Sequence, residues 1–170
     1  MNDSTPLNQE KLEYIEEMGL LMERFGLPRM TGRVLGALLM ADPPEQTAEA
    51  LATTLQASRG SISGATRTLE QIGFIDRVSK PGERKDYFRN RPNAWAEMTK
   101  QQTLSIRLFK EMAEKGLAIL GSDDPDVQLG LVEMREFYDF WERELPKVFR
   151  DWEAEQERQQ AEKALSLEKG

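Results

Sequence analysis

Arg59, Arg67, Lys80, Arg84 and Lys85 are the residues of this chain best equipped for chemistry. A guanidinium presents five N–H donors in a planar fork that fits a phosphate or the O6/N7 edge of guanine. Lysine adds a point charge, and Ser58, Ser61 and Ser63 add hydroxyls beside the arginines. The set suits binding of an extended polyanion. Other chemistries lack their residues: with no histidine and no cysteine, the usual zinc sites, Ser-His-Asp and Cys-His catalysis, and disulfides are all out of reach. No G-x-x-x-x-G-K-[ST] loop is present. The carboxylate pairs Glu16/Glu17 and Asp123/Asp124 read as a solvated helix face and a cap. Neither an enzyme, a cofactor nor a metal site is expected.

The elements that must hold these residues lie between Thr47 and Arg91. Thr47 to Leu55 reads as a short helix, Gln56-Ala57 as a turn, and Ser58 to Ile72 as a second helix ended by Gly73. Ser58 is a good N-cap, its hydroxyl accepting from amides left unpaired in the first turn. Ile62, Ala65, Leu69 and Ile72 advance by 3, 4 and 3 and share an inward face. At about 100° per residue, Gly60, Ser63, Gly64 and Arg67 fall on the opposite face, flanked by Arg59 and Ser61. Each interior glycine costs roughly 1 kcal/mol against alanine, a cost offset if this face must approach a sugar-phosphate wall. An ordinary solvated face is the plainer reading of the helix alone.

Residues 74–79 then alternate like a strand, Lys80 to Lys85 form a turn around Pro81-Gly82, and residues 86–91 read as a return strand. Helix, tight turn, helix and hairpin in that order make a winged helix-turn-helix, which places its second helix in a DNA groove. Lys80, Arg84 and Lys85 at the hairpin tip are suited to phosphate and to a narrow minor groove. Without the preceding helices they would read as a basic loop with no partner.

At these residues a family resemblance is specific. Ala57-Ser58-Arg59-Gly60-Ser61-Ile62-Ser63 and Leu69-Glu70-Gln71-Ile72-Gly73-Phe74-Ile75 resemble the recognition helix and strand entry of MarR-type bacterial regulators. Pro81-Gly82-Glu83-Arg84-Lys85-Asp86-Tyr87-Phe88 is similar to the GbsR-like branch of that group. MarR wings typically carry Asp-x-Arg, the acid orienting a minor-groove arginine; here Arg84 matches, while Glu83 stands directly beside it. The resemblance covers about residues 12–120 and is weaker over the last fifty. It implies a homodimeric, ligand-responsive transcriptional regulator with effector sites between the DNA-binding lobe and the dimerisation helices. Some GbsR-like proteins respond to choline, a quaternary cation suited to an aromatic cage. Phe137, Tyr138, Phe140, Trp141, Phe149 and Trp152 offer rings for one, although core packing explains the same residues.

Net charge at first opposes DNA, since the chain carries −7. Between Gln56 and Arg91, however, eight Lys/Arg face four acids, so the segment carries +4 and leaves −11 elsewhere. Screening over about 8 Å lets the basic segment act largely alone.

The flanks are helical. Leu12, Ile15, Met18, Met22 and Phe25 recur at helical spacing within Leu7 to Phe25, and because the resemblance commonly places such a helix at a dimer interface, this face has two candidate partners, its own chain and a second subunit. A support helix runs from Pro28 to about Ala41, with Val34, Leu35, Leu38 and Leu39 as core and Gly32 and Gly36 permitting close approach. Asp42-Pro43-Pro44 breaks it. A long helix spans about Ala94 to Leu120, weakened locally at Gly116; the next starts with Asp124 as N-cap and Pro125 in its first turn. Val127, Leu131, Met134, Tyr138, Trp141, Leu145, Val148 and Trp152 follow at alternating spacings of 4 and 3, a heptad seam. That seam packs either on the long helix of its own chain or on a second subunit. Pro146 is expected to kink or split the helix.

The expected fold is mainly α with a small β-hairpin wing: a winged helix-turn-helix flanked by N- and C-terminal dimerisation helices. Its parts are an N-terminal helix (1–27), a DNA-binding region (28–92), long helices for dimerisation and effector response (93–152) and a fraying polar tail (153–170). Its expected partners are double-stranded DNA, a second copy of itself and an effector of unknown identity. With no run of 18 apolar residues and no opening signal peptide, no membrane partner is expected and the cytoplasm is the simplest location. The expected function is a sequence-specific regulator, a repressor by analogy, on a pseudo-palindromic operator. The rival is a winged-helix protein-protein adaptor that never reads DNA.

Overall fold

The computed structural model describes residues 9–167. The lead-in Met1 to Pro6, the expected helix start at Leu7 and residues 168–170 lie outside them. The chain divides into two compact units, Met1–Met98 and Thr99–Gly170.

In the first unit, α1 (Gln9–Arg24) packs on α2 (Arg29–Leu39). Contact is close because α2 turns glycines towards α1: a Cβ on Gly32 would stand 2.5 Å from the Met18 carbonyl oxygen and 2.8 Å from Gly19 Cα. α2 also carries α3 (Ala48–Leu55) and α4 (Arg59–Gln71), so the support helix expected from the sequence is the centre of the unit. Val34, Leu35 and Leu38 of α2 meet Leu51, Leu55, Ile62 and Leu69 in one core. That packing, rather than the propensity of such short helices, holds α3 and α4 in place.

The sheet has three antiparallel strands in the order β1-β3-β2. β2 (Ile75–Ser79) and β3 (Asp86–Asn90) form the expected hairpin, with Arg77 opposite Phe88 and Ser79 opposite Asp86. β1 (Gln46–Thr47), not expected from the sequence, pairs Gln46 with Phe88 and Thr47 with Tyr87. Thr47 then N-caps α3, accepting from the Ala50 amide at 3.1 Å.

Part of the α1 face expected to serve dimerisation is taken within the chain. Ile15 is 1% exposed and Met22 5%, and both belong to the chain's own core; Met18 packs against it. Of the face expected to serve dimerisation, Leu12 and Phe25 stay exposed, joined by Leu20 and Leu21. Periodicity places residues on one face, and the glycines of α2 give that face to an intrachain partner.

α5 (Ala94–Leu120) begins in the first unit, where Trp95 meets Phe74 edge to face at 4.6 Å. The second unit pairs the rest of α5 with α6 (Pro125–Leu167) in an antiparallel hairpin. Gly116 lies under Leu131, whose Cδ2 would be 2.9 Å from an added Cβ. Phe109 stacks on Tyr138 with centroids 5.0 Å apart. Lys110 Nζ donates to Asp139 and Glu142, each at 2.7 Å, and Lys100 to Glu153 at 2.5 Å. The two carboxylates hold the Lys110 ammonium well above its ordinary pKa. Part of the seam therefore packs within the chain: Leu131 and Tyr138 touch α5, and Met134, Trp141 and Leu145 are half-buried. Val127, Val148 and Trp152 remain exposed.

Asp124 caps α6 as expected, accepting from the Asp126 amide at 3.0 Å. Pro146 does not split it: α6 is one helix to Leu167, across the segment expected to fray. Pairs three and four residues apart, Lys147–Glu144 at 2.8 Å, Arg143–Asp139 at 3.5 Å and Arg158–Glu155 at 2.6 Å, line this stretch and support its helicity. No helix among the described residues is long and apolar enough to cross a membrane.

Candidate nucleic-acid interface

α4 begins as its sequence dictates. Ser58 is the N-cap, its Oγ accepting from the Ser61 amide at 3.2 Å and lying 2.9 Å from the Ser61 hydroxyl. The two expected contact serines are thus tied to each other at the helix entrance. Ile62, Ala65 and Leu69 are buried and Thr66 joins them, its hydroxyl bonded to the Ser63 carbonyl at 3.3 Å. Arg59, Gly60, Ser61, Ser63, Gly64 and Arg67 are all exposed, so the phase read from the sequence places these candidates on one open face.

Packing inside the chain does not explain the two glycines of that face. A Cβ on Gly64 would meet nothing within 4 Å, and one on Gly60 would meet only Ser58 Oγ at 3.9 Å. Gly32, pressed on a backbone, makes the contrast. The open glycines cost helix stability without an intrachain gain, as expected of a surface built to meet something else closely.

Ion pairing sorts the cations. Arg77 is bound to Glu70 and Asp86, Lys80 and Arg89 to Glu45, Lys85 to Glu49, and Arg91 to Asp76. Arg59, Arg67 and Arg84 have no ion pair among the described residues. Two of these lie on the exposed face of α4 and the third on the wing. A guanidinium without an internal carboxylate keeps its fork for an external acceptor.

The wing turns at Gly82, whose φ of +82° favours glycine, with the Glu83 amide bonded to the Lys80 carbonyl at 3.1 Å. Glu83 accepts from the Tyr87 hydroxyl rather than from Arg84, so the neighbouring acid does not orient the arginine as the family's Asp-x-Arg would. That bond to the protonated phenol raises the Tyr87 pKa. Lys80 Nζ stands 4.1 Å over the Tyr87 ring and 2.8 Å from Glu45 Oε2. Lys85 stays largely open, its 3.4 Å pair with Glu49 being exposed on both sides. Sequence reasoning missed Glu45 and Glu49 as partners of the wing, because these acids lie some forty residues before the cations they meet and only folding joins them.

The rings named for a quaternary-ammonium cage do not converge on one. Phe137 and Phe140 each lie edge-on to Trp141, and Tyr138 stacks on Phe109. Only Trp141 and Phe149 of that set line the cavity of about 420 Å3 in the second unit, where Lys100 and Arg107 join them. Glu142 lines it as well, and the two cations are paired with Glu153 and Glu111.

A MarR family model matches residues 38–87, the segment that holds every candidate DNA contact. A second, described as MmpR5-like MarR family transcriptional regulator, matches residues 93–155. The HTH-type transcriptional regulator MmpR5 of Mycobacterium tuberculosis (strain ATCC 25618 / H37Rv) is 41% identical over 131 residues, 77% of this chain and 79% of that one. This chain belongs to the MarR family of transcriptional regulators. A crystal structure described as that of a transcriptional regulator superposes with a TM-score of 0.69 at 37% identity, over 85% of this chain and 99% of that one. The MarR membership expected from α4 and the wing is thereby established, with its winged-helix fold. The GbsR-like branch finds no support in these matches, which name the MmpR5-like group.

Proposed function

We propose that this MarR-family chain reads a pseudo-palindromic DNA operator as a homodimer, represses transcription in the cytoplasm and is released by a small-molecule effector. The observation that carries the DNA reading is the set of unpaired arginines on an open, glycine-bearing recognition face and wing. In this reading Arg67 takes the guanine edge, Arg59 and Ser61 take phosphate at the α4 N-terminus, where the helix dipole favours an anion, and Ser63 faces bases. Gly60 and Gly64 let the helix seat deeply, Arg84 enters the minor groove, and Lys85 exchanges Glu49 for the flanking backbone.

The homodimer is supported by apolar surface that the single chain leaves open. Leu108, Met112 and Ile119 recur along α5, Ile119 at 75% exposure, and Phe137, Val148 and Trp152 along α6. On α1, Leu20, Leu21 and Phe25 are open as well. Large apolar side chains in such rows mark an interface. Two copies would set two α4 helices about one DNA turn apart. The cavity between α5 and α6 is of a size that admits a small molecule; the effector's identity stays open, and its role rests on the family.

Fluorescence anisotropy with the fragment upstream of the protein's own gene, against a shuffled fragment across a salt series, tests the DNA reading. A saturable preference for the upstream fragment that weakens as salt rises is expected. Equal binding to both fragments at every salt concentration would count against sequence-specific recognition there. Sedimentation at micromolar concentration checks the dimer.

A further inference from the structure

The wing has two cations that the sequence offers equally to DNA, Lys80 and Arg84, and the structure treats them in opposite ways. Arg84 is exposed and has no ion pair among the described residues. Lys80 is held on three sides. Glu45 Oε2 lies 2.8 Å from its Nζ, the Tyr87 ring lies 4.1 Å beneath it, and Glu83, which closes the turn at Lys80, accepts from the Tyr87 hydroxyl. Glu45 reaches β3 too, with Oε1 3.7 Å from Arg89 Nη1. Its side chain is 24% exposed and stands immediately before β1, whose backbone ladder to β3 is only two residues long. A ladder that short fixes a hairpin poorly, and the Glu45 carboxylate adds one contact to the turn, at Lys80 directly after β2, and one to β3, at Arg89. Its position is itself set by α3, since β1 runs directly into the Thr47 cap.

We propose that Glu45 is a positioning residue for DNA recognition. Through Lys80 and Arg89 it fixes the wing against the start of α3 so that Arg84 meets the minor groove, and Lys80 serves as the inner brace instead of touching phosphate. This rests on the reading of α4 and the wing as the DNA-binding surface. It reverses what proximity to DNA alone predicts: an acid near a polyanion repels it, so removing the acid should strengthen binding. A brace gives the opposite sign.

Anisotropy with the upstream fragment over a salt series tests it, using the full chain and the variants Lys80→Met, Glu45→Gln, Arg84→Ala and Glu45→Gln/Arg84→Ala. A direct phosphate contact contributes about 0.9 to the slope of log affinity against log salt. The proposal expects Lys80→Met and Glu45→Gln each to weaken binding by about five- to tenfold with the slope unchanged. Arg84→Ala should lose less in the Glu45→Gln background than alone, although the two residues share no ion pair, because a displaced wing has already withdrawn Arg84. A slope reduced by about one per subunit in Lys80→Met, tighter binding in Glu45→Gln, or additive losses would each overturn the proposal while leaving the DNA reading intact. A wild-type chain with no preference for the upstream fragment would instead overturn that reading, and the proposal with it.

Discussion

Arg77 grips Glu70 with two parallel bonds, Nε to Oε1 at 3.1 Å and Nη2 to Oε2 at 3.0 Å. One partner is on α4 and the other on β2, so the pair locks the recognition helix to the first strand of the wing. The same guanidinium reaches Asp86 on β3 at 3.4 Å and lies 5.6 Å over the Phe88 ring. The two parts proposed to meet DNA together are thus joined by one side chain. Forked geometry puts the pair at the upper end of exposed ion pairs. Arg77→Ala should cost about 1 kcal/mol of stability, seen as a Tm lowered by about 2–6 °C in thermal denaturation, and should weaken operator binding without altering the fold.

Arg67 separates base reading from general attraction. If it takes a guanine edge, Arg67→Ala should lose about 1–3 kcal/mol on the upstream fragment while sparing shuffled DNA. Competition anisotropy with both fragments checks it, and equal losses would reduce Arg67 to a phosphate contact.

The glycines give predictions of opposite sign. Gly64→Ala adds a methyl where nothing lies within 4 Å, so the protein should gain up to about 1 kcal/mol of helix stability. Operator affinity should nevertheless fall, by about tenfold, because the same methyl overpacks a close contact with DNA. Gly32→Ala places its methyl 2.5 Å from the Met18 carbonyl and should destabilise by about 1–3 kcal/mol. Thermal melts and anisotropy on the two variants check both halves.

Acidity should matter little near neutrality. Hydrogen bonds from Lys80, Lys110 and Lys147 respectively hold the Glu45, Asp139 and Glu144 carboxyls below their ordinary values. Their stabilisation is complete above the unfolded values of 4.5, 3.8 and 4.5 and is lost as pH falls through the lowered folded ones. Lys80 and Lys110 are raised, so their share is lost only as pH climbs beyond 10.5. With no histidine in the chain, operator affinity at fixed salt should change by less than about twofold between pH 6 and 8. A titration series at constant ionic strength checks this.

What was legible in the sequence follows from the range of the forces involved. The caps at Ser58 and Asp124, the phase of α4 and the hairpin around Gly82 are local and could be read from neighbouring residues. β1 could not, because a two-residue strand has no period and exists only where Phe88 and Tyr87 come beside it. Periodicity also grouped Ile15, Met18 and Met22 on one face without saying that Gly32 and Gly36 would claim it. In α6 it marked a seam, of which α5 covers Leu131 and Tyr138 and leaves Val148 and Trp152 open. The pairing of cations was the least legible feature: Lys80, Arg84 and Lys85 look alike in sequence and differ only by the acids that folding delivers.

The central claim is that the three unpaired arginines are the DNA contacts. It is tested most directly by the salt dependence of operator binding in Arg59→Ala/Arg67→Ala/Arg84→Ala against wild type. The variant should melt as wild type does, lose its preference for the upstream fragment and show a slope shallower by roughly one in each dimer half, the share of Arg59 at phosphate. An unchanged slope with the preference retained would contradict it.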